Sequence, residues 1–265
     1  MDFASLAKGL RKDILVMLNK AGAGHPGGSL SEIDMLSVLY FGGILNVNPK
    51  KPSDPDRDRF ILSKGHASPG MYAVLARKGY FPSKELDGFR KINRLLQGHT
   101  DTKVPGVEMS AGSLGMGLSF GNGVAYAGKL DKKSYKVWVM VGDGECQEGM
   151  VWEAAENTTF HKLDNIVVIV DKNGIQNDDY VAVTSNIEPL TERWRSFGFK
   201  IMEIDGHDFN EIVPAFEKAK KEKGPWCIIA KTVKGKGVSF MENNPKWHGA
   251  APNDEELKKA LEELR

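Results

Sequence analysis

Cysteine is scarce: Cys146 and Cys227 are the only two among 265 residues. That excludes a disulfide framework and a paired-CxxC zinc site, and it fits a reducing cytoplasm. A surplus of charge is also missing, since 36 basic and 35 acidic side chains leave a formal net charge of +1. A general nucleic-acid binder needs a basic excess or patch, so that class is excluded. No apolar run approaches the roughly 20 residues that span a bilayer, and residues 1–12 carry no apolar signal core. The expectation is a cytoplasmic protein without a membrane segment. There is no Gly-x-Ser-x-Gly, no His-Glu-x-x-His and no Walker lysine motif. Difficult chemistry is then left to a cofactor.

What is present is a core and an excess of glycine. Hydrophobic residues make up 41% and charged residues 27%, which excludes long disorder. A chain of this length buries roughly 70–75% of its unfolded surface. The 29 glycines, roughly 11% of the chain against a usual ~7%, gather in short loops and form no repeat. Such loops let backbone approach a ligand closely. A single domain over residues 1–265 is the simplest division.

Helical spacing marks residues 2–20 through Leu6, Leu10, Ile14, Leu15 and Leu18, with Gly22 and Gly24 as the stop. A loop at 24–29 leads to a second helix ending near Tyr40. Residues 50–58 read as a surface loop, 60–63 as a short strand, and a helix follows to Arg77. Residues 80–112 are irregular, and a glycine-laced helix is expected over 114–128. Strand runs at 136–141, 165–170, 200–204 and 226–232 alternate with helices over 147–160 and 209–223; an amphipathic helix closes the chain at 254–265. Continuous β-branched runs separated by helices indicate parallel strands covered on both faces. The fold class is α/β, a doubly wound and mostly parallel sheet flanked by helices, which binds ligands at the carboxyl ends of its strands.

Two short motifs carry the chemistry. Gly142-Asp143-Gly144-Glu145 follows one strand run, and Asp171-Lys172-Asn173-Gly174-Ile175 ends the next. Either alone is an ordinary turn. Together they sit about one βαβ unit apart, so a right-handed crossover brings both to the same sheet edge. Asp143 and Asn173 can then share one ion, with the Ile175 carbonyl as a third ligand and two phosphate oxygens and a water completing an octahedron. The expectation is a diphosphate bridged by Mg²⁺ or Ca²⁺, with Gly142 and Gly144 exposing amides beside it and a helix N-terminus just beyond.

Of six histidines, His25, His66, His99 and His207 directly follow glycine, and His248 precedes Gly249. Imidazoles in glycine loops are poor core residues and suit contact with an anionic or polyhydroxyl ligand. A surface role is the better reading for His161, and a turn or helix-start role for His207. Cys146 and Cys227 read as small packing residues.

Gly142-Asp143-Gly144 followed by Asn173 resembles the thiamine-diphosphate fingerprint. The flanking segments Gly24-His25-Pro26-Gly27-Gly28-Ser29-Leu30-Ser31, Ser63-Lys64-Gly65-His66-Ala67, Gly98-His99-Thr100, Gly112-Ser113-Leu114-Gly115 and Trp247-His248-Gly249-Ala250 are similar to those of transketolases. They occur in family order and cover nearly the whole chain. The resemblance is to the diphosphate-binding domain alone, as in the N-terminal subunit of a split, two-chain transketolase. It implies that a C-terminal transketolase subunit supplies the pyrimidine-binding domain, that sugar phosphates are the substrates, and that the assembly is a homodimer or a heterotetramer.

The resemblance implies residue roles as well. Asp143, Asn173 and the Ile175 carbonyl hold the metal. Gly142, Gly144, Glu145, His66, Asn173 and His248 lie at the diphosphate, and Gly112 and Leu114 approach the cofactor rings. His25, His99 and His248 line the donor sugar and move protons, and Glu148 faces the partner domain. The reaction implied is transfer of a two-carbon ketol unit from a ketose phosphate to an aldose phosphate. Three positions depart from the family pattern: Asn177 where an aliphatic residue is usual, Ser113 where proline is frequent, and Glu145 where a smaller residue is common. Competing readings are a split transketolase for an unusual sugar, a 1-deoxyxylulose-5-phosphate synthase-like or ketoacid dehydrogenase α subunit, and a non-catalytic scaffold subunit. The loop histidines speak against the scaffold.

Overall fold

The computed structural model describes residues 1–177 and 179–265. Helix α1 (Phe3–Ala21) is capped by the Asp2 side chain and stopped by Gly22 in the left-handed region. Helix α2 (Pro26–Phe41) starts earlier than its loop-like sequence suggests, because Pro26 sits at the first helical position, where its fixed φ fits and its missing N–H costs nothing. Strand β1 (Arg59–Leu62) and helix α3 (Ser68–Lys78) follow. The irregular stretch expected next holds one short 3₁₀ turn at Ser83–Gly88. Helix α4 (Met116–Leu130) begins two residues later than expected, since Gly115 takes φ +83° and cannot enter the helix.

Strand β2 (Val137–Gly142) runs through a 3₁₀ turn, Gly144–Gln147, into helix α5 (Gly149–Phe160). Strand β3 (Asn165–Lys172) leads to a small hairpin of β4 (Ile175–Gln176) and β5 (Asp179–Tyr180). Two short helices come next, α6 (Val181–Thr184) and α7 (Leu190–Ser196), followed by β6 (Lys200–Asp205) and α8 (Phe209–Lys221). Strand β7 (Gly224–Lys231) and helix α9 (Asp254–Glu263) complete the chain; α9 opens on a capping box between Asn253 and Glu256. The hairpin, α6 and α7 go beyond the sequence reading, because none of them carries a long periodic run.

The main sheet has order β1-β2-β3-β7-β6, and every pairing in it is parallel. Its strands alternate between two cores. Trp138, Met140, Val167, Ile169, Trp226 and Ile228 face one core with residues of α1, α2, α3, α8 and α9. Val137, Val139, Val141, Ile166, Val168 and Val170 face the other with residues of α4, α5 and α7. Helices on both faces of a parallel sheet make the doubly wound architecture expected from the continuous apolar runs. Both cysteines are free and fully buried, Cys146 and Cys227 packing in the second core. No helix among the described residues is long and apolar enough to cross a membrane.

Candidate functional site

The carboxyl ends of β1, β2, β3 and β7 surround one cavity of about 290 Å³. Its lining includes Lys64 and His66 after β1, residues 142–145 after β2, Asn173 and Ile175 after β3, and Lys234 and His248 after β7, together with Gly28 and Leu114. The two motifs therefore leave adjacent strands on the same rim: Gly142 is in register with Asp171, and the Asp143 amide donates to the Asp171 carbonyl at 3.2 Å.

Asp143 is 3% exposed. Its carboxylate accepts the Gly144 amide at 2.9 Å and the Gly174 amide at 2.6 Å. Burial nevertheless pushes its carboxyl up to about 6, against the lowering effect of those amides and of Lys234. The Asn173 side-chain oxygen accepts the Ile175 amide at 3.1 Å, while its NH₂ donates to Asp171 at 3.1 Å; that bond fixes which end of the amide is oxygen. The Ile175 carbonyl accepts from Lys234 Nζ at 2.9 Å. Three hard oxygen donors thus line one cavity. Among the described residues no group of three His, Cys, Asp or Glu side chains comes together to hold a metal. A ligand set of one carboxylate, one amide and one carbonyl, completed by oxygens of a bound anion, suits a hard cation.

The glycine-loop histidines, apart from His207, converge. The His25 ring centroid lies 5.2 Å from His66, 6.1 Å from His99 and 5.4 Å from His248, and His66 lies 5.0 Å from His248. Burial lowers all four. His25 falls to about 4 with help from neighbouring charges, and His248 to about 3 through burial and the Lys234 ammonium. His66 lies well below its usual value, and His99 is lowered by burial and Arg90. The rings are neutral at physiological pH and able both to give and to take a hydrogen bond. His25 Nδ1 is buried without a hydrogen-bond partner. Buried polar atoms are ordinarily paired, so the unpartnered nitrogen sets His25 apart from a packing residue.

Other residues singled out in the sequence take distinct places. The Glu145 carboxylate accepts the Gly115 amide at 2.9 Å, the Gly142 amide at 3.1 Å and the Ser63 hydroxyl, so it staples three loops of the rim. Gly112 is exposed outside the cavity lining, and a Cβ there would meet nothing within 4 Å, which leaves its backbone open to a ligand. Glu148 is exposed at the start of α5, beside Gly115 at the start of α4. His161 packs on Tyr126 and Phe160, away from the cavity.

Two buried cations belong to the site without standing out in the sequence. Lys234, 3% exposed, bonds the Ile175 carbonyl and meets His248 Nδ1 at 2.8 Å; burial and Lys64 depress its ammonium to about 8. Lys64, 2% exposed, lies 2.7 Å from both Asp171 and Glu32. Asp171 is saturated by Lys64, Ser31, Thr232 and Asn173. Glu32 is fully buried, and burial pushes its carboxyl up to about 8 against the opposing Lys64 ammonium. The only local signal for Lys234 is a lysine in a glycine loop after a strand run.

Comparison with known proteins meets this geometry. Residues 4–264 match the family described as transketolase, thiamine diphosphate binding domain. The chain belongs to the transketolase family. It is 41% identical over 266 residues to the 6-deoxy-6-sulfo-D-fructose transketolase subunit SqwG of Clostridium sp. (strain MSTE9), covering 100% of this chain and 96% of that one. It is 40% identical to an apulose-4-phosphate transketolase subunit of Phocaeicola vulgatus, covering 96% of this chain and 90% of that relative. The solved transketolase of Campylobacter jejuni superposes with a TM-score of 0.93 at 38% identity; all of this chain matches 43% of that enzyme. The chain therefore spans well under half of a complete transketolase. The mostly parallel sheet is the thiamine-diphosphate-binding α/β fold, and the cavity lies at its carboxyl rim.

Proposed function

We propose that this chain is the cofactor- and metal-binding subunit of a two-chain transketolase that moves a two-carbon ketol unit from a ketose phosphate to an aldose phosphate. The observation that carries the reading is the single cavity in which Asp143, Asn173 and the Ile175 carbonyl meet Lys234, His66 and His248. The three oxygen donors fit Mg²⁺ or Ca²⁺. Lys234, His66 and His248 suit the diphosphate, and Gly112 and Leu114 offer backbone and side chain to the rings. When bound, thiamine diphosphate supplies the electron sink for carbon–carbon cleavage.

The protein's own part is placement and proton movement. His25 and His99 carry lone pairs at physiological pH, so each is equipped to take a sugar hydroxyl proton and return it. His248 accepts the Lys234 ammonium at Nδ1 and keeps its Nε2–H to donate to a ligand. Lys234 and the buried amides neutralise the anion before any sugar arrives, so no reorganisation is needed during reaction.

A partner chain supplies the pyrimidine-binding half. Met116, Phe120, Tyr126 and Leu130 of α4 and Met150 and Phe160 of α5 are exposed apolar residues. That surface, with Glu148 at its edge, suits contact with the partner subunit in a heterotetramer. The two subunit relatives are named for sulfofructose and for apulose 4-phosphate. Those names support a donor in the class of ketose phosphates and their anionic analogues. The test is reconstitution with the C-terminal subunit, thiamine diphosphate and Mg²⁺. Ketol transfer is expected only from the complete mixture, and full turnover by the isolated chain would overturn the proposal.

A further inference from the structure

His207 stands outside the cavity, yet its ring is fully engaged. Val233 N–H donates to His207 Nε2 at 2.8 Å. An amide only donates, so Nε2 carries the lone pair and the ring hydrogen is on Nδ1. Nδ1 lies 2.7 Å from Asp34 Oδ2 and gives that hydrogen to it. Arg11 grips the same carboxylate with two bonds, 3.0 Å to Oδ1 and 2.6 Å to Oδ2. Burial works to raise the Asp34 carboxyl, but the His207 bond and the Arg11 guanidinium hold it below the usual range. The carboxylate is therefore ionised and locks the ring tautomer.

The same arginine reaches the other side of the loop, where its Nε donates to the Lys236 carbonyl at 2.9 Å. Gly235 N–H donates to the Gly27 carbonyl at 3.1 Å. Backbone bonds at 233, 235 and 236 thus hold the chain on both sides of Lys234. Two glycines make the approach possible. A Cβ at Gly237, where φ is +93°, would lie 3.0 Å from Arg11 Cδ, and a Cβ at Gly27 would lie 2.9 Å from Lys234 Cγ. Arg11 belongs to α1, Asp34 to α2, and His207 to the turn between β6 and α8.

We propose that His207, locked by Asp34 and Arg11, is a positioning residue that holds the Val233–Lys234 backbone so that the Lys234 ammonium stands beside the Ile175 carbonyl and His248. The inference rests on the reading of Lys234 as a counter-charge for the diphosphate. A buried lysine on a loose loop would relax toward solvent, because burial penalises the charged form. The clasp removes that freedom at the backbone, and the bonds to the Ile175 carbonyl and His248 hold the ammonium end.

The test uses the full chain with magnesium pyrophosphate as the probe, titrated calorimetrically, and amide hydrogen exchange of Val233 in the free protein. His207→Leu removes the acceptor; exchange at Val233 is expected to speed at least tenfold and pyrophosphate affinity to fall about tenfold. His207→Gln carries an oxygen that takes the same N–H, and is expected to restore both readings. Equal loss of affinity in the Leu and Gln variants, or unchanged Val233 exchange in the Leu variant, would overturn the proposal. Lys234→Met separates the two ideas. If it abolishes binding while His207→Leu does not, the positioning role alone is lost; if Lys234→Met leaves affinity intact, the counter-charge reading goes and takes the positioning role with it.

Discussion

The Lys234 ammonium donates to the Ile175 carbonyl oxygen at 2.9 Å. That bond joins the segment after β7 to the segment after β3, and it places a fixed positive charge beside the oxygen donors of the rim. An anion entering the cavity meets a cation and a carboxylate together, and the proposed metal ion would offset the charge of Asp143.

Asp143 is the first point to test. Asp143→Ala is expected to lower the Mg²⁺-dependent affinity for thiamine diphosphate in the reconstituted enzyme by about 10–100-fold. Chelation of the metal should reproduce the loss in the unaltered protein. Titration calorimetry with and without Mg²⁺ reads both, and an affinity indifferent to either change would remove Asp143 from the ligand set.

The imidazole cluster makes a kinetic prediction. His25→Ala and His99→Ala are expected to lower kcat/KM for the ketose donor by roughly a hundredfold, the usual scale for a lost proton carrier. Cofactor affinity should change little, because neither ring lines the cavity that holds the oxygen donors. Steady-state kinetics beside cofactor titration distinguishes this from general damage.

Glu32 sets a pH dependence of stability. Burial raises its carboxyl to about 8 against an ordinary 4.5, with Lys64 opposing only in part and Asp171 adding to the rise. The folded protein keeps the proton up to about pH 8, whereas the unfolded chain releases it near 4.5. Its contribution is therefore complete below pH 4.5 and declines as pH climbs through 8. Glu32→Gln mimics the protonated form, so the fall in urea midpoint across that window should flatten; an unaltered slope would refute the assignment.

Trp138 tests the core. It is fully buried on β2, with its ring 5.6 Å from Phe216 on α8. Trp138→Ala is expected to cost about 3–5 kcal/mol of unfolding free energy, measured by urea denaturation.

The sheet is legible in the sequence because β2, β3 and β7 are continuous apolar runs, a pattern that only strands buried on both faces require. The short helix α7 is not legible: Leu-Thr-Glu-Arg-Trp-Arg-Ser is too brief for a helical period to show. The start of α4 shifts because a left-handed Gly115 outweighs the apolar pattern. At the site, Asp143, Asn173 and the clustered histidines stand out because each is the immediate neighbour of a glycine. Glu32, Asp171 and Lys64 do not, since their pairing joins residues far apart in the chain and no local spacing encodes it. Lys234 is hidden for the same reason, its partners lying at 175 and 248.

Asp171 draws donors from α2, from the segment after β1, from the segment after β7 and from Asn173. Releasing any one of these pieces leaves a buried charge short of a donor, so no piece gains by fraying alone. The mouth of the sheet thus forms or dissolves as a block, and a newly made chain presents its cofactor with a finished socket or with none.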